Sequence, residues 1–485
     1  MSRSKTLSFI TEIPLRVAPG DERAMRKRLE AARQVYNACL GESLKRLELL
    51  RQSKLYQVAG KLPKGPHGSP QAKERATAFR EADVALGFRE YDLHAYATQF
   101  NHCWIGDHLD ANTIQTVASR AFGAVKEHAL GKRGKPRFKG EDQFDSVEGK
   151  TNKQGIRWRD DRVEWLGLTL PAIIDANDPV IAHGLNSPIK YVRLVRRNIK
   201  GRNRFYVQLV NEGFPYQKPK NKLGQGDVGL DIGPSTIAVV SEDVAFLTRF
   251  CDELERLQGE IRRLQRKVDR QRRANNPENY NPDGTIKAGP KRWRKSNRQK
   301  QTEAKLAELC RREAAYRKSL HGALLNIILR MGDHFNLEKL SYRAFQRAYG
   351  KSVSVRAPGM FVERLRRKSE SAGGVTNEFP TSLRLSQLCH GCGTVDKKSL
   401  SERWHHCDCG VAAQRDLYSA FLAVCVEGDR LDIAKAEELW PRVEPLLVQA
   451  MSSLEQQLAS GREFPASFGF SRRQSQSPAN QRECS

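Results

Sequence analysis

No run of about 18 consecutive apolar residues occurs in the chain, so no transmembrane helix is expected. The N-terminus lacks the apolar core of a signal peptide, and no internal repeat is visible. Acidic side chains are in deficit: 56 Asp and Glu face 83 Lys and Arg, a formal charge of +27 over 485 residues. That excess is spread along the whole chain and is not confined to a tail. A polyphosphate, meaning nucleic acid, is the simplest partner for so many cations. A membrane surface is disfavoured, because no basic amphipathic anchor stands out. Cysteine is too sparse for a disulfide scaffold: ten are present, and four of them cluster. A reducing compartment is expected. Cys39, Cys103, Cys251, Cys310 and Cys425 read as packing residues.

The clustered four are Cys389, Cys392, Cys407 and Cys409, two corners separated by 14 residues. Thiolates are soft ligands, and two paired corners suit a tetrahedral zinc site. Gly391, Gly393 and Gly410 supply turn freedom at the corners. The second corner is the short Cys-x-Cys form, and His390, His405 and His406 stand close by. A histidine could therefore replace one thiolate. Directly after the site, Asp416 begins an apolar-periodic segment (Leu417, Ala420, Phe421, Val424), which puts a carboxylate near a helix N-terminus.

Elsewhere the pattern alternates between strand and helix periods. Residues 5–17 read as a strand, and 21–52 as a helix with one apolar face. Residues 60–80, rich in Gly, Pro, Lys and Ser, read as a loop. Helices are expected at 84–104 and 110–130. The basic turn 132–139 carries Arg137, Phe138 and Lys139, a mixture that suits single-stranded nucleic acid. Short strands follow between 155 and 210, with Arg193, Arg196, Arg197 and Arg202 around one hairpin. With the strand at 5–17 they suggest a small split barrel. A linker at 214–226 precedes the buried run Val228–Val240, which has Asp231 in its middle. Such a charge is costly unless paired; a metal ion is one partner, and a nucleotide-binding strand-turn is the plainer reading. Leu254, Leu257, Ile261, Leu264 and Val268 then form a heptad-like seam. With a second basic helix at 297–330 they predict an antiparallel hairpin around the loop 274–290. Residues 332–340 form a strand ending at Glu338. Residues 341–375 are polar and basic, with Arg364 and Arg367 among them. Thr381–Leu388 reads as a strand feeding the first cysteine corner, 432–458 as an amphipathic helix, and the rest as a polar tail.

Asp231, Glu338 and Asp416 are thus three carboxylates on three separate elements. If they converge they can hold two Mg²⁺ ions about 4 Å apart, an arrangement that hydrolyses phosphodiesters. If not, they are three unrelated surface acids.

The ordered set decides between these. Gly229-Leu-Asp231-Ile-Gly233, Leu337-Glu338-Lys-Leu340, the four-cysteine ribbon and Arg415-Asp416 resemble the split RuvC nuclease of the TnpB family and of the compact type V CRISPR effectors. Val35-Tyr-Asn37, Pro136-Arg-Phe-Lys139, the stretch Tyr316 to His321, Thr381-Ser382 and Ser386-Gln387 resemble that family too. The resemblance implies a multidomain α+β protein. Its parts would be a split OB-like wedge barrel (1–18 and 132–224), a helical recognition lobe (19–131) and an RNase H-like RuvC core (225–385 and 411–460). That core would carry the basic hairpin at 251–330, with a zinc ribbon (386–410) and a disordered tail (461–485). It implies Asp231, Glu338 and Asp416 as catalytic Mg²⁺ ligands and the four cysteines as structural Zn²⁺ ligands. It also implies a guide RNA and double- and single-stranded target DNA cut beside a short motif. Arg137, Lys139, Arg193, Arg196, Arg197, Arg202, Arg364 and Arg367 are the expected nucleic-acid contacts. Lys339 and Ser419 depart from the family pattern and could slow cleavage. A guide-directed DNA-binding repressor and a guide-independent structure-specific nuclease are therefore the competing readings.

Overall fold

In the strand that opens the chain, Phe9, Thr11 and Ile13 point inward while their neighbours face out, the period of two that a half-buried strand requires. The structure is a computed structural model and describes residues 7–399 and 401–470. One compact unit ends at Tyr216 and the second begins at Gln217.

The first unit runs β1 (Ser8–Pro14), α1 (Pro19–Gln52), α2 (Lys54–Lys61), α3 (Pro70–Ala85), α4 (Glu90–Ala97), α5 (Ala111–Ala129), β2 (Ser146–Glu148), β3 (Arg157–Arg159), β4 (Arg162–Trp165), β5 (Leu168–Pro171), α6 (Pro179–Leu185), β6 (Ile189–Ile199) and β7 (Arg202–Glu212). An antiparallel sheet of order β1-β7-β6-β2 stands beside a three-stranded sheet β3-β4-β5. Leu15 and Ala172 bridge the end of β1 to the end of β5. One apolar cluster, from Ile13 through Leu40, Val117 and Trp165 to Leu209, runs through helices and strands alike. Two of the motifs quoted above meet here. Asn37 Nδ2 donates to the Lys139 carbonyl, and the Lys139 amide donates back to Asn37 Oδ1, both at 2.8 Å.

The loop expected over 60–80 is largely helix. Ser69 caps α3 through the Ala72 amide and Pro70 occupies its first turn, so the Ser-Pro pair that reads as loop punctuation is a helix start. Cys103 and Cys310, expected to pack, are exposed; Cys39, Cys251 and Cys425 are buried.

The second unit holds a five-stranded sheet of order β10-β9-β8-β11-β12, from β8 (Asp227–Ile232), β9 (Thr236–Val240), β10 (Ala245–Arg249), β11 (His334–Glu338) and β12 (Val375–Phe379). Strand β8 runs antiparallel to β9 and parallel to β11, which is parallel to β12. Between β10 and β11 lie α7 (Glu255–Asn275) and α8 (Asn297–Ile328), joined along Ile261, Leu264 and Leu309. Between β11 and β12, where polarity alone gave no element, lie α9 (Tyr342–Arg356) and α10 (Pro358–Ser371). Thr381–Leu388 is not a strand. A short 3-10 turn covers Thr381–Leu383, and Leu388 makes an isolated bridge to Val395; the apolar strand signal belongs to β12 just before it.

The hairpin β13 (Trp404–His406) and β14 (Ala412–Gln414) leads into α11 (Arg415–Val424), the small hairpin β15 (Val426–Glu427) and β16 (Arg430–Leu431), and α12 (Ile433–Ala459). Part of the expected tail is ordered: Phe468 is fully buried and Phe464 stacks on it at 4.9 Å. Three phenylalanines in seven positions (464–470) supply enough apolar surface to hold that stretch against the core. Residues 471–485 lie outside the described residues.

Candidate functional site

Helix α11 lies across β8 closer than side chains normally allow. A Cβ built on Gly229 would sit 1.9 Å from the Ala420 carbonyl oxygen and 2.7 Å from the Val424 amide. Only glycine fits there. Asp231, two residues on, shares that face of the strand. In the parallel pairing Leu337 lies opposite Leu230, so Glu338 at the strand's end is the immediate neighbour of Asp231. Asp416 comes in from the first turn of α11, whose N-terminus the Gln414 side chain caps by accepting from the Leu417 amide at 2.8 Å. All three carboxylates line one cavity of about 450 Å³.

The electrostatics of that cavity are unfavourable as it stands. Burial raises the Asp231 carboxyl well above its ordinary range; the charges of Asp416 and Glu338 push the same way, and a Ser419 hydrogen bond opposes them. Burial likewise raises Glu338. Asp416 is raised by burial despite Arg415 and Arg403 beside it, with Arg415 Nε 3.6 Å from its Oδ1. Crowded, enclosed carboxylates prefer either protons or a cation, and a hard divalent ion fits this donor set. The remaining wall includes Lys398, Arg403, Phe345 and Tyr349. Sequence reading passed over these four, because isolated cations and rings in polar stretches look solvated. Lys339 does not line the cavity; its side chain is exposed. Ser419 does line it.

The four cysteine sulfurs form the closest ligand group among the described residues, all within 4.8 Å of one another. Cys389 and Cys409 Sγ are 3.5 Å apart, and Cys392 and Cys407 Sγ 3.3 Å. Zn–S bonds of about 2.3 Å in a tetrahedron need sulfurs about 3.8 Å apart, so the cluster fits that ion. The nearby histidines are engaged elsewhere. His390 Nδ1 pairs with the Tyr418 hydroxyl at 2.8 Å. Tyr418 also accepts from the His390 amide at 3.0 Å. His405 stacks on Tyr418 at 4.2 Å, and its Nδ1 accepts from Lys398 Nζ at 2.6 Å. Tyr418 belongs to α11, so the first cysteine corner grips the helix that carries Asp416.

The expected nucleic-acid contacts divide. Arg137, Lys139, Arg202 and Arg367 are exposed. Arg196 is not available: its side chain is 6% exposed and its guanidinium holds Asp142 at 2.9 Å and Asp145 at 2.8 Å. Arg193 pairs with Glu148 at 2.8 Å, and Arg197 with Glu12 at 2.6 Å. Neighbouring strands and the turn before β2 supply these acids, a proximity invisible in the linear order. Arg364 is half-buried and donates to the Lys318 carbonyl at 2.7 Å.

Residues 359–422, from α10 through the cysteine ribbon into α11, match the family model "Cas12f1-like, TNB domain". Over this segment the resemblance to compact type V effectors holds. No curated protein matches the chain. Among solved structures, a Cas12f1–sgRNA–target DNA complex superposes with a TM-score of 0.42 at 10% identity, covering 86% of this chain and 98% of that one. A CRISPR-Cas12f ternary complex gives a TM-score of 0.27 at 13% identity, over 85% and 83%. At these values neither likeness assigns a fold or a partner to this chain.

Proposed function

We propose that the chain is an RNA-guided DNA endonuclease of the RuvC type, cutting guide-matched DNA beside a short motif. The observation that carries the reading is the meeting of Asp231, Glu338 and Asp416, from β8, β11 and α11, on one cavity beside a four-cysteine centre. The motif resemblance and the Cas12f1-like segment supply the guide and target as partners. Two Mg²⁺ ions bound there would activate water and stabilise the leaving oxygen.

The chain's own residues do the positioning. Asp231 and Glu338 stand on adjacent strands of one sheet and so keep a fixed separation. Ser419 orients the Asp231 carboxylate through its hydroxyl. Lys398, Arg403 and Arg415 bring positive charge to the wall where a scissile phosphate would lie. The cysteine centre, through His390 and Tyr418, fixes the first turn of α11 and with it Asp416. The binding-only reading rested on Lys339, whose exposed side chain stands away from the cavity.

The test is guided cleavage by the purified ribonucleoprotein with Mg²⁺. Asp231→Ala should lower the cutting rate by about 10³-fold or more while guide-dependent binding persists. Sequencing the copurified RNA separates the guided reading from a guide-independent nuclease. Equal cutting by the variant, or no associated RNA, would refute the proposal.

A further inference from the structure

The last described stretch of the chain returns to the cavity of the three acids. Helix α12 ends at Ala459, and Gly461 turns the backbone at φ 92°. A short 3-10 turn, Ala466–Phe468, then lies between Pro465 and Gly469. Ser467, in the middle of that turn, lines the same cavity as Asp231, Glu338 and Asp416. The stretch stands outside residues 359–422, which match the family model.

Three rings and two carbonyls hold the turn in place. Phe468 is fully buried, in one cluster with Cys389, Leu417, Tyr418 and Phe421. Phe464, which stacks on it, also meets Phe470 at 5.7 Å. The Ser467 carbonyl accepts from Gln414 Nε2 and the Gly469 carbonyl from Trp404 Nε1, each at 3.3 Å. Trp404 and Gln414 face each other across β13 and β14, so the turn straps both strands of the cysteine hairpin. Gly469 is left-handed at φ 91°, and a Cβ there would lie 2.8 Å from Trp404 Nε1. Glycine lets the turn sit this close. Gln414 serves two elements: its Nε2 holds the strap, and its Oε1 caps α11, which carries Asp416.

Ser467, pinned in this way, contributes a hydroxyl that the fold itself does not use. Its oxygen is enclosed and has no hydrogen-bond partner among the described residues. Enclosed hydroxyls are nearly always paired, and an unpaired one opposes folding. Alanine would fill the position without that cost, so packing does not explain the serine. Lys398, Arg403 and Arg415 on the wall can donate to the hydroxyl but cannot take its proton. The three carboxylates are the donor set of the proposed ions. A phosphate oxygen is the acceptor that remains, and a serine reaches one by turning about a single torsion. We propose that Ser467 donates to the scissile phosphodiester, and that the strap Pro465–Phe470 completes the nuclease site by presenting it. The inference rests on the cleavage reading and adds to it a substrate contact outside the acid triad.

The experiment uses the full-length ribonucleoprotein and matched DNA under single-turnover conditions. Ser467→Ala should slow cutting about ten- to a hundredfold, the loss of one hydrogen bond to a charged group. Ser467→Thr keeps the hydroxyl and should bring the rate back to within about fivefold of the unaltered protein. Guide-dependent target binding should stay unchanged in both. Melting of the second unit should not fall in Ser467→Ala, since alanine leaves no polar atom unpaired. The slowing should persist at saturating Mg²⁺, because the lost contact is to the substrate. Gly469→Ala should lift the turn off Trp404 and withdraw the same hydroxyl. Adding Ser467→Ala to it should then slow cutting by less than about threefold further. An unaltered rate in Ser467→Ala, beside an inactive Asp231→Ala, overturns this inference alone. Rescue of Ser467→Ala by Mg²⁺ overturns the phosphate contact, and multiplying losses in the double variant overturn the strap. Absence of cutting by the unaltered protein overturns this inference together with the cleavage reading.

Discussion

His321 is fully buried in the second unit, between the rings of Phe250 and Phe361. Its Nε2 donates to the Arg356 carbonyl at 2.8 Å, just before Ala357 takes the left-handed conformation that separates α9 from α10. The ring must therefore be neutral to serve as a core residue. Burial lowers its pKa to about 4, with Arg364 and Arg317 acting in the same direction and the bond to Arg356 opposing them. The sign follows from linkage. The unfolded chain binds this proton near the ordinary value of about 6.5, while the folded chain resists it. Stability is thus fully present above about pH 6.5 and is lost as pH falls, the loss being complete below about pH 4. The span amounts to about 3 kcal/mol. Denaturant unfolding of the second unit between pH 7 and pH 4 should show that loss in the native protein and a flatter profile in His321→Gln. Parallel profiles would contradict the assignment.

Between elements, the contact that matters most is α11 on β8, because it brings Asp416 to Asp231. Gly229→Ala puts a methyl group into the Ala420 carbonyl and the Val424 amide, backbone atoms that cannot swing aside. Overpacking of this kind costs about 1–3 kcal/mol, which corresponds to a fall of roughly 2–5 °C in the melting of a unit as large as this one. Cutting should fall further than stability, since the helix must lift and carry Asp416 with it. A variant that melts and cuts normally would mean that α11 is not seated by this glycine. In the sequence Gly229 stands out only as part of the motif around Asp231, not as room for a helix. The same holds for much of the architecture. Strong periodicity announced β8, α7, α8, α11 and α12, and the cysteine spacing announced the four-sulfur cluster. Where punctuation residues carried two meanings the reading failed: Ser69-Pro70 starts a helix, and Thr381–Leu388 holds a turn where a strand was expected. Polarity hid α9 and α10, whose apolar faces (Val355, Phe361, Val362, Leu365) are short and interrupted by arginines.

At the scale of the whole molecule, a charge of +27 names a class of partner but not a place. Arg193, Arg196 and Arg197 stand in a conspicuous basic stretch, yet folding pairs all three with acids. By contrast Lys267, Arg270, Arg298 and Lys305, which line a cleft between α7 and α8, keep no ion-pair partner among the described residues. Sequence gives the sum of charges, and only tertiary pairing gives the remainder available to a ligand. A similar division governs stability. The apolar cluster from Ile13 to Leu209 lies wholly within the first unit, and those containing Cys389, Val228 and Ile261 lie wholly within the second. The cysteine centre shares its cluster with α11 and α12, so loss of a bound zinc ion should destabilise that unit alone, by mass action on its folded form. Calorimetry of the full chain should show two transitions, and a zinc chelator should lower one while leaving the other within about 1 °C. Residues 1–216 expressed alone should reproduce the chelator-insensitive transition. A single transition that moves as a whole on chelation would show instead that the two cores melt as one.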